Sequence, residues 1–124
     1  MSAELRLEEL AARLSPGALV TDADVVGAHS SDKALFCPTG TALGLVRAAA
    51  VDDVVAVMRF ATEHRIPVVT QGARTGLSGA ANAVDGALLL NVAKMDSVLD
   101  IDEVEQTCRV QPGVINQDLK NVLA

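Results

Sequence analysis

The chain has 124 residues, half of them hydrophobic, and it carries a formal net charge of −6 at pH 7. Its length and apolar fraction predict one folded domain and argue against a disordered chain. The negative charge and the absence of tyrosine and tryptophan argue against a nucleic-acid partner, because such partners select basic surfaces and, when single-stranded, aromatic stacking residues.

The first 40 residues predict a helical lead-in to the rest of the chain. Leucines alternate with charged residues up to Leu14 and predict a first helix, which Ser15-Pro16-Gly17 should end. Asp22 offers a capping side chain for a short helix or turn, and a loop is expected over 32–40. This acidic, amphipathic beginning is unlike a secretory signal, and no uncharged apolar stretch approaches the roughly 18 residues that span a bilayer. We therefore expect a cytoplasmic protein without a transmembrane segment.

Residues 41–124 alternate between apolar strands and amphipathic helices. The pattern predicts strands at 43–46, 67–70, 87–92, 98–101 and 107–111, a helix from Asp52 or Asp53 to His64–Arg65, and a closing helix in the segment from Asn116. A sequence that mixes strands and helices in this order is typical of the α+β class.

A glycine-rich segment separates the predicted strands at 67–70 and 87–92. Glycines at 72, 76 and 79 let a ligand approach the main chain, and successive N–H groups in such a loop form a concave anion site. Arg74 adds a charged fork suited to phosphate oxygens. The segment lacks the Gly-Lys-Ser/Thr of a Walker loop and the glycine spacing of the Rossmann fingerprint. Its length favours a phosphate-binding loop, and the alternative is a glycine-rich turn that only connects two strands.

Residues 67–81, with the sequence PVVTQGARTGLSGAA, resemble the pyrophosphate-binding loop of FAD-linked oxidases. These flavoenzymes share the FAD domain of vanillyl-alcohol oxidase and p-cresol methylhydroxylase (the PCMH type), and the nearest branch is the glycolate oxidase subunit and D-lactate dehydrogenase group. Asp85-Gly86, Met95-Asp96 and the later Val110-Gln111-Pro112-Gly113 agree as well. The resemblance implies an α+β fold with a small mixed sheet and flanking helices. It identifies residues 41–124 as the N-terminal part of such a domain, incomplete at its C-terminus.

The resemblance also implies which residues hold the cofactor, because the family binds the FAD diphosphate with main-chain N–H groups of this loop. The candidates carried over are Gln71, Gly72, Ala73, Arg74, Thr75, Gly76, Ser78, Gly79 and Ala80. Many relatives carry Arg where this chain has Gln71, and Gly where it has Arg74. Some relatives attach FAD covalently through a His near the place of Thr75. Since no His stands in this loop, we expect non-covalent FAD.

The function implied by the resemblance is that of a flavin-dependent oxidoreductase acting on 2-hydroxy acids such as glycolate or D-lactate, with a partner that accepts the electrons. The catalytic and metal-binding residues of relatives lie in a later substrate domain. We therefore expect no catalytic or metal-binding residue here, and no complete reaction from these 124 residues alone. Two alternatives stay open: a truncated remnant or interaction domain that binds no flavin, and a flavoenzyme of another substrate class, such as sugar oxidation.

The remaining polar residues are expected to be structural. His64 should lie in the last turn of its helix, where a positive charge is favourable, and His29 in a polar surface loop. Cys37 and Cys108 match no metal or redox spacing. The acidic run from Asp100 to Glu105 is expected to form a solvated turn.

Overall fold

The computed structural model describes residues 2–124, and its elements follow the predicted order. The helices are α1 (Ala3–Arg13), α2 (Ala23–Ala28), α3 (Val51–His64) and α4 (Asn116–Leu123); the strands are β1 (Leu19–Val20), β2 (Gly44–Arg47), β3 (Val68–Gln71), β4 (Leu88–Asn91), β5 (Val98–Asp102) and β6 (Thr107–Val110). The short strand β1 is the one element that the sequence pattern does not predict. The α+β fold class is confirmed.

Four strands form a mixed sheet in the order β1-β2-β4-β3, and β5 and β6 form a separate antiparallel hairpin. Strands β2, β4 and β3 are parallel, whereas β1 runs antiparallel to β2 at one edge. The carboxyl ends of the three parallel strands therefore meet at one edge of the sheet, where open α/β sheets commonly bind ligands.

The apolar run at 88–90 becomes the central strand β4, buried on both faces as parallel strands usually are. Leu88 and Leu90 face a cluster that includes Phe60 of α3 and Leu10 of α1. Leu89 faces the opposite cluster, with Val26 of α2. Because successive side chains of a strand point to opposite faces, this one strand supports both cores. The first 40 residues contribute to both clusters.

Helix α3 begins at Val51, and a buried carboxylate fixes its first turn. Asp53 is 2% exposed, and it accepts hydrogen bonds from the main-chain N–H groups of Ser15 and Ala49 at 2.8 and 2.9 Å and from the Ser15 hydroxyl at 2.8 Å. Burial acts to raise the pKa of Asp53, but these hydrogen bonds together hold it below its ordinary value. Asp53 thus ties the segment after α1 to the start of α3.

The predictions for the two histidines have different outcomes. His64 lies in the last turn of α3, as predicted, with its ring centroid 4.4 Å from that of Phe60. His29 is not in an open loop: it is the half-buried C-cap residue of α2, and its Nδ1 lies 2.9 Å from the Val25 oxygen. Helix α2 has only six residues, too few for a sequence pattern to predict where it ends.

The acidic run is only in part a turn: Asp100 and Asp102 lie in β5, and Glu103 and Glu105 lie in the turn before β6. The side chain of Asp102 accepts hydrogen bonds from the N–H groups of Val104 and Glu105, both at 3.0 Å. Cys37 and Cys108 are free thiols. Among residues 2–124, no helix combines the length and the apolar character needed to cross a membrane.

Candidate functional site

The predicted site residues lie together in the loop that leaves the carboxyl end of β3. Gln71 is the last residue of β3, and the chain returns to start β4 at Leu88. Because β3 and β4 are neighbouring parallel strands, the connection must run back along the whole strand. The length of the loop therefore follows from the topology of the sheet. Length alone does not indicate that the loop binds a ligand.

The hydrogen bonding of the loop gives a stronger indication. Within residues 2–124, none of the main-chain N–H groups of residues 72–81 donates a hydrogen bond to another protein group. Most of these residues are exposed, so water satisfies the donors in the free protein. A continuous run of free N–H groups is the arrangement that binds anions in main-chain nests.

Four carbonyl groups of the same loop are bound to the protein. Those of Gly72 and Ala81 accept hydrogen bonds from the side chains of Asn91 (3.3 Å) and Gln71 (2.9 Å). Two further carbonyls accept main-chain donors: Gly76 from Lys33 N at 3.0 Å and Gly79 from Asn82 N at 3.1 Å. The loop is thus held by its acceptors and presents its donors to solvent.

Glycine at two positions of the loop has no structural cause in the fold itself. A Cβ added to Gly72 would meet nothing within 4 Å, and one added to Gly76 would meet only the Asp32 carboxylate, at 3.6 Å. Gly79 differs, because its φ of +77° and the nearby Cys37 sulfur, 3.1 Å from an added Cβ, both require glycine. Space beside Gly72 and Gly76 fits a ligand that approaches the main chain closely.

Arg74 adopts a left-handed conformation, with a φ of 57°. This backbone conformation is unfavourable for a residue with a Cβ and is one that favours glycine. The Arg74 Nη1 donates to the carbonyls of Ala28 and Ser31, at 2.8 and 3.1 Å. The guanidinium therefore binds the open carbonyl end of α2, and its positive charge stays next to the loop.

The other predicted site residues differ in exposure. Ala73, Thr75, Ser78 and Ala80 are exposed, and the hydroxyls of Thr75 and Ser78 make no hydrogen bond within the described chain, so both remain available as donors. Gln71 is buried, with its amide engaged by the protein.

An apolar cavity of about 500 Å³ lies next to the beginning of the loop. Thr70, Gln71 and Gly72 form one wall of it, and Val51 and Val54 of α3 form another. Its position at the carboxyl ends of β3 and β4 places it beside the free N–H groups. A ligand with an anionic part and an apolar part therefore has a complementary surface at this edge of the sheet.

Several residues that hold the loop were not predicted from the sequence: Asn82, Asn91 and the main chain at Asp32 and Lys33. An isolated Asn carries no pattern, and residues 32–33 lie in a predicted loop, so no signal in the sequence pointed to them. One cluster of possible metal ligands exists in the described part of the chain, Glu9, Glu63 and His64. Arg13 forms ion pairs with both of these glutamates, at 2.7 and 3.2 Å, so their oxygens are already engaged and half of their charge is offset.

Comparison with known proteins identifies the family. Residues 42–124 match the family model described as FAD binding domain. The chain belongs to this family. Membership confirms the predicted resemblance to FAD-linked oxidases and the FAD cofactor.

Three relatives of the FAD binding domain family illustrate the match. The chain is 34% identical over 115 residues to D-2-hydroxyglutarate dehydrogenase of Stutzerimonas stutzeri. The aligned region covers 92% of this chain and 24% of that protein. It is 37% identical over 75 residues to D-lactate dehydrogenase of Anaerostipes hadrus (60% and 16%) and 40% identical over 74 residues to a glycolate oxidase subunit of Escherichia coli (60% and 15%). The chain spans about a quarter or less of the length of these relatives.

Solved structures confirm the PCMH-type fold. The chain superposes on alkyldihydroxyacetonephosphate synthase with a TM-score of 0.86 at 19% identity, covering 99% of this chain and 25% of the other. For p-cresol methylhydroxylase with substrate bound the TM-score is 0.81 at 22% identity, covering 97% and 24%. At these identities the likeness shows the fold alone.

Proposed function

We propose that residues 72–81 bind the diphosphate of FAD through their free main-chain N–H groups, and that the chain is the FAD-binding portion of an oxidoreductase acting on 2-hydroxy acids. The observation that carries the first part is the hydrogen bonding of the loop, in which four carbonyls are bound to the protein while the N–H groups are free. Gly72, Ala73, Arg74, Thr75 and Gly76 form one limb of the site, and Ser78, Gly79 and Ala80 the other.

Local donors must supply the attraction for the diphosphate, because the net charge of −6 opposes an anionic ligand at long range. Hydrogen bonds from N–H groups to phosphate oxygens are charge-assisted and stabilise by roughly 1.5–3 kcal/mol each. Arg74 contributes a nearby positive charge, and the Thr75 and Ser78 hydroxyls add donors. No residue from 71 to 81 is a nucleophilic His or Cys, so binding from this loop is non-covalent.

The proposed substrate class follows from the relatives, whose names state that they act on D-2-hydroxyglutarate, D-lactate and glycolate. FAD, when bound, accepts two electrons from such a substrate. The role of this chain is to fix the cofactor by its diphosphate, while other parts of a full-length enzyme bind the substrate and carry the catalytic groups, and a partner accepts the electrons. A cytoplasmic location stays a prediction.

Titration with FAD tests the site, with Gly76→Val as the variant and Gly27→Val as its control. Both glycines are exposed, and an added Cβ meets at most an ordinary contact at either position. We expect Gly76→Val to raise the Kd for FAD by at least about tenfold, or ~1.4 kcal/mol, with little change in Tm, because the side chain blocks the approach to the N–H groups. Gly27→Val should bind FAD as the wild type does.

Competing ligands sharpen the same titration. ADP, which carries a diphosphate, should displace FAD, whereas riboflavin, which has no phosphate, should not. Unchanged FAD affinity in Gly76→Val would place the diphosphate elsewhere, and loss of folding would make this glycine structural. If saturating FAD leaves the Tm of the wild type unchanged, the alternative of an interaction domain that binds no flavin gains, since a ligand of the native state must raise its stability.

A further inference from the structure

The side chain of Gln71 connects the end of α2 with the C-terminal end of the loop. Its side chain is among the most buried polar groups of the chain, at 2% exposure. Its Nε2 donates to the carbonyls of His29, at the end of α2, and of Ala81, the last residue of the free N–H run, and its Oε1 accepts from Asn91. All of its polar atoms are therefore engaged by the protein.

Asn82 plays a matching part at the other end of the loop. It is 7% exposed, its Oδ1 accepts from the N–H of Asp32 at 2.8 Å, and its Nδ2 donates to the carbonyl of Pro38 at 3.1 Å. The segment held between these two bonds includes Lys33, whose N–H donates to the Gly76 carbonyl. Asn82 thus fixes the donor that binds the middle of the loop.

We infer that Gln71 and Asn82 are positioning residues for FAD: Gln71 holds the Ala81 carbonyl, and Asn82 holds the segment whose Lys33 N–H binds the Gly76 carbonyl, so that the free N–H groups stay turned to solvent. This inference rests on the proposed function and deepens it. It gives Gln71 a role different from the direct cofactor contact that the family resemblance implies. Neither amide is free to bind phosphate, since each already has protein partners.

The physical reason is that an unheld peptide group can rotate and exchange the directions of its C=O and of the N–H of the next residue. Holding the Gly76 carbonyl fixes the free Leu77 N–H. Holding the Ala81 carbonyl fixes the Asn82 N–H, which binds the Gly79 carbonyl and so fixes the free Ala80 N–H. A carbonyl turned toward the diphosphate repels it, so only the held conformer binds well. When the fraction of molecules in the competent conformer falls, the apparent Kd rises by the same factor. A drop of that fraction to about a tenth therefore raises the Kd about tenfold.

The test compares side chains of similar size with and without donors. Gln71→Met removes the amide, and Gln117→Met makes the same change at an exposed glutamine of α4 that bonds only Asn121. Asn82→Asp keeps the acceptor for Asp32 but sets an oxygen against the Pro38 carbonyl. Gln71→Arg restores donors at position 71. For each variant, Tm is measured, FAD is titrated on the folded protein, and hydrogen exchange is followed at residues 72–81 with and without FAD.

We expect Gln71→Met and Asn82→Asp to raise the Kd for FAD at least about tenfold and to reduce the FAD-dependent protection at residues 72–81. Gln71→Arg should recover most of the affinity, and Gln117→Met should match the wild type. A merely structural role would lower Tm and leave the Kd of the folded fraction unchanged, which overturns the inference. If Gln71→Met does not fold, Asn82→Asp decides by the same criteria. Failure of the wild type to bind FAD would instead remove the proposed function, and the inference with it.

Discussion

Two exposed connections in this chain differ in the hydrogen bonding of their main-chain N–H groups. In the turn between β5 and β6, the Asp102 carboxylate accepts hydrogen bonds from two of them. In the loop at 72–81, none has an acceptor within the described chain. Both regions are exposed, so access to solvent does not account for the difference. The hairpin turn supplies its own acceptor, whereas the N–H groups of the loop stay free, as the proposed diphosphate site requires.

The same contrast holds elsewhere in the molecule. Asp22 accepts from two N–H groups at the start of α2, and Asp53 binds two more near the start of α3. The chain has 16 acidic residues, yet none lies between Gln71 and Val84. An aspartate accepts hydrogen bonds from the N–H groups in each of these three regions, whereas the glycine loop contains no aspartate. The following experiments test whether the internal carboxylates serve stability while the loop serves affinity.

Removing the most buried of these carboxylates should have the largest effect. Asp53→Ala leaves the N–H groups of Ser15 and Ala49 and the Ser15 hydroxyl without their acceptor, and we expect it to lower the free energy of unfolding by about 3 kcal/mol. Urea denaturation followed by circular dichroism measures this, because the chain has no tryptophan or tyrosine for fluorescence. The control is Asp52→Ala, an exposed neighbour, for which we expect a change within about 0.5 kcal/mol. Equal losses in the two variants would contradict the assignment.

Acid should produce a smaller part of the same loss. Burial acts to raise the pKa of Asp53, but its hydrogen bonds outweigh burial and the pKa in the folded protein lies below the ordinary value. The group therefore stabilises the fold above its unfolded pKa of about 4, and this contribution is lost as the pH falls through the folded pKa.

Urea titrations at neutral pH and below pH ~4 check this expectation. The wild type should lose more stability on acidification than Asp53→Asn does, since the variant has no carboxylate to protonate there. Glu63, whose pKa is lowered by its hydrogen bond with Arg13, remains in both proteins and contributes equally. An identical acid response in the two proteins would show that Asp53 is not a source of the pH dependence.

Much of the fold could be predicted because its signals are local. The run at 88–90 is apolar without interruption, which indicates a strand buried on both faces. Pro67 lies between the end of α3 at His64 and the start of β3 at Val68, where a proline prevents the helix from continuing. Strand β1 escaped prediction because two residues carry no period, and their strand pairing with β2 depends on distant sequence. The parallel pairing of β3 with β4 is likewise a long-range property, and its absence from the prediction made loop length seem more informative than it is.

The candidate site, like the fold, could be predicted from the sequence only in part. Glycine spacing identified the loop, but its polarity depends on partners that are distant in sequence, such as Lys33, Asn91 and the end of α2. The positive φ of Arg74 is also invisible in the sequence, because the bonds that stabilise it go to Ala28 and Ser31. A sequence pattern can therefore name a main-chain site, while the direction of its N–H groups requires the three-dimensional structure.

The smallest expected effect is at the hairpin turn, and it completes the comparison. Asp102→Ala removes the acceptor of the Val104 and Glu105 N–H groups, but both are exposed and water replaces the carboxylate, so we expect a loss of only about 1 kcal/mol in the free energy of unfolding. Glu103→Ala, in the same turn, is the matched control and should cost less. FAD affinity should be unchanged in both variants, since the proposed diphosphate site lies in another loop. A drop in FAD affinity with Asp102→Ala would mean that the turn and the glycine loop are coupled, and the separation between N–H groups that serve stability and N–H groups that serve binding would then fail.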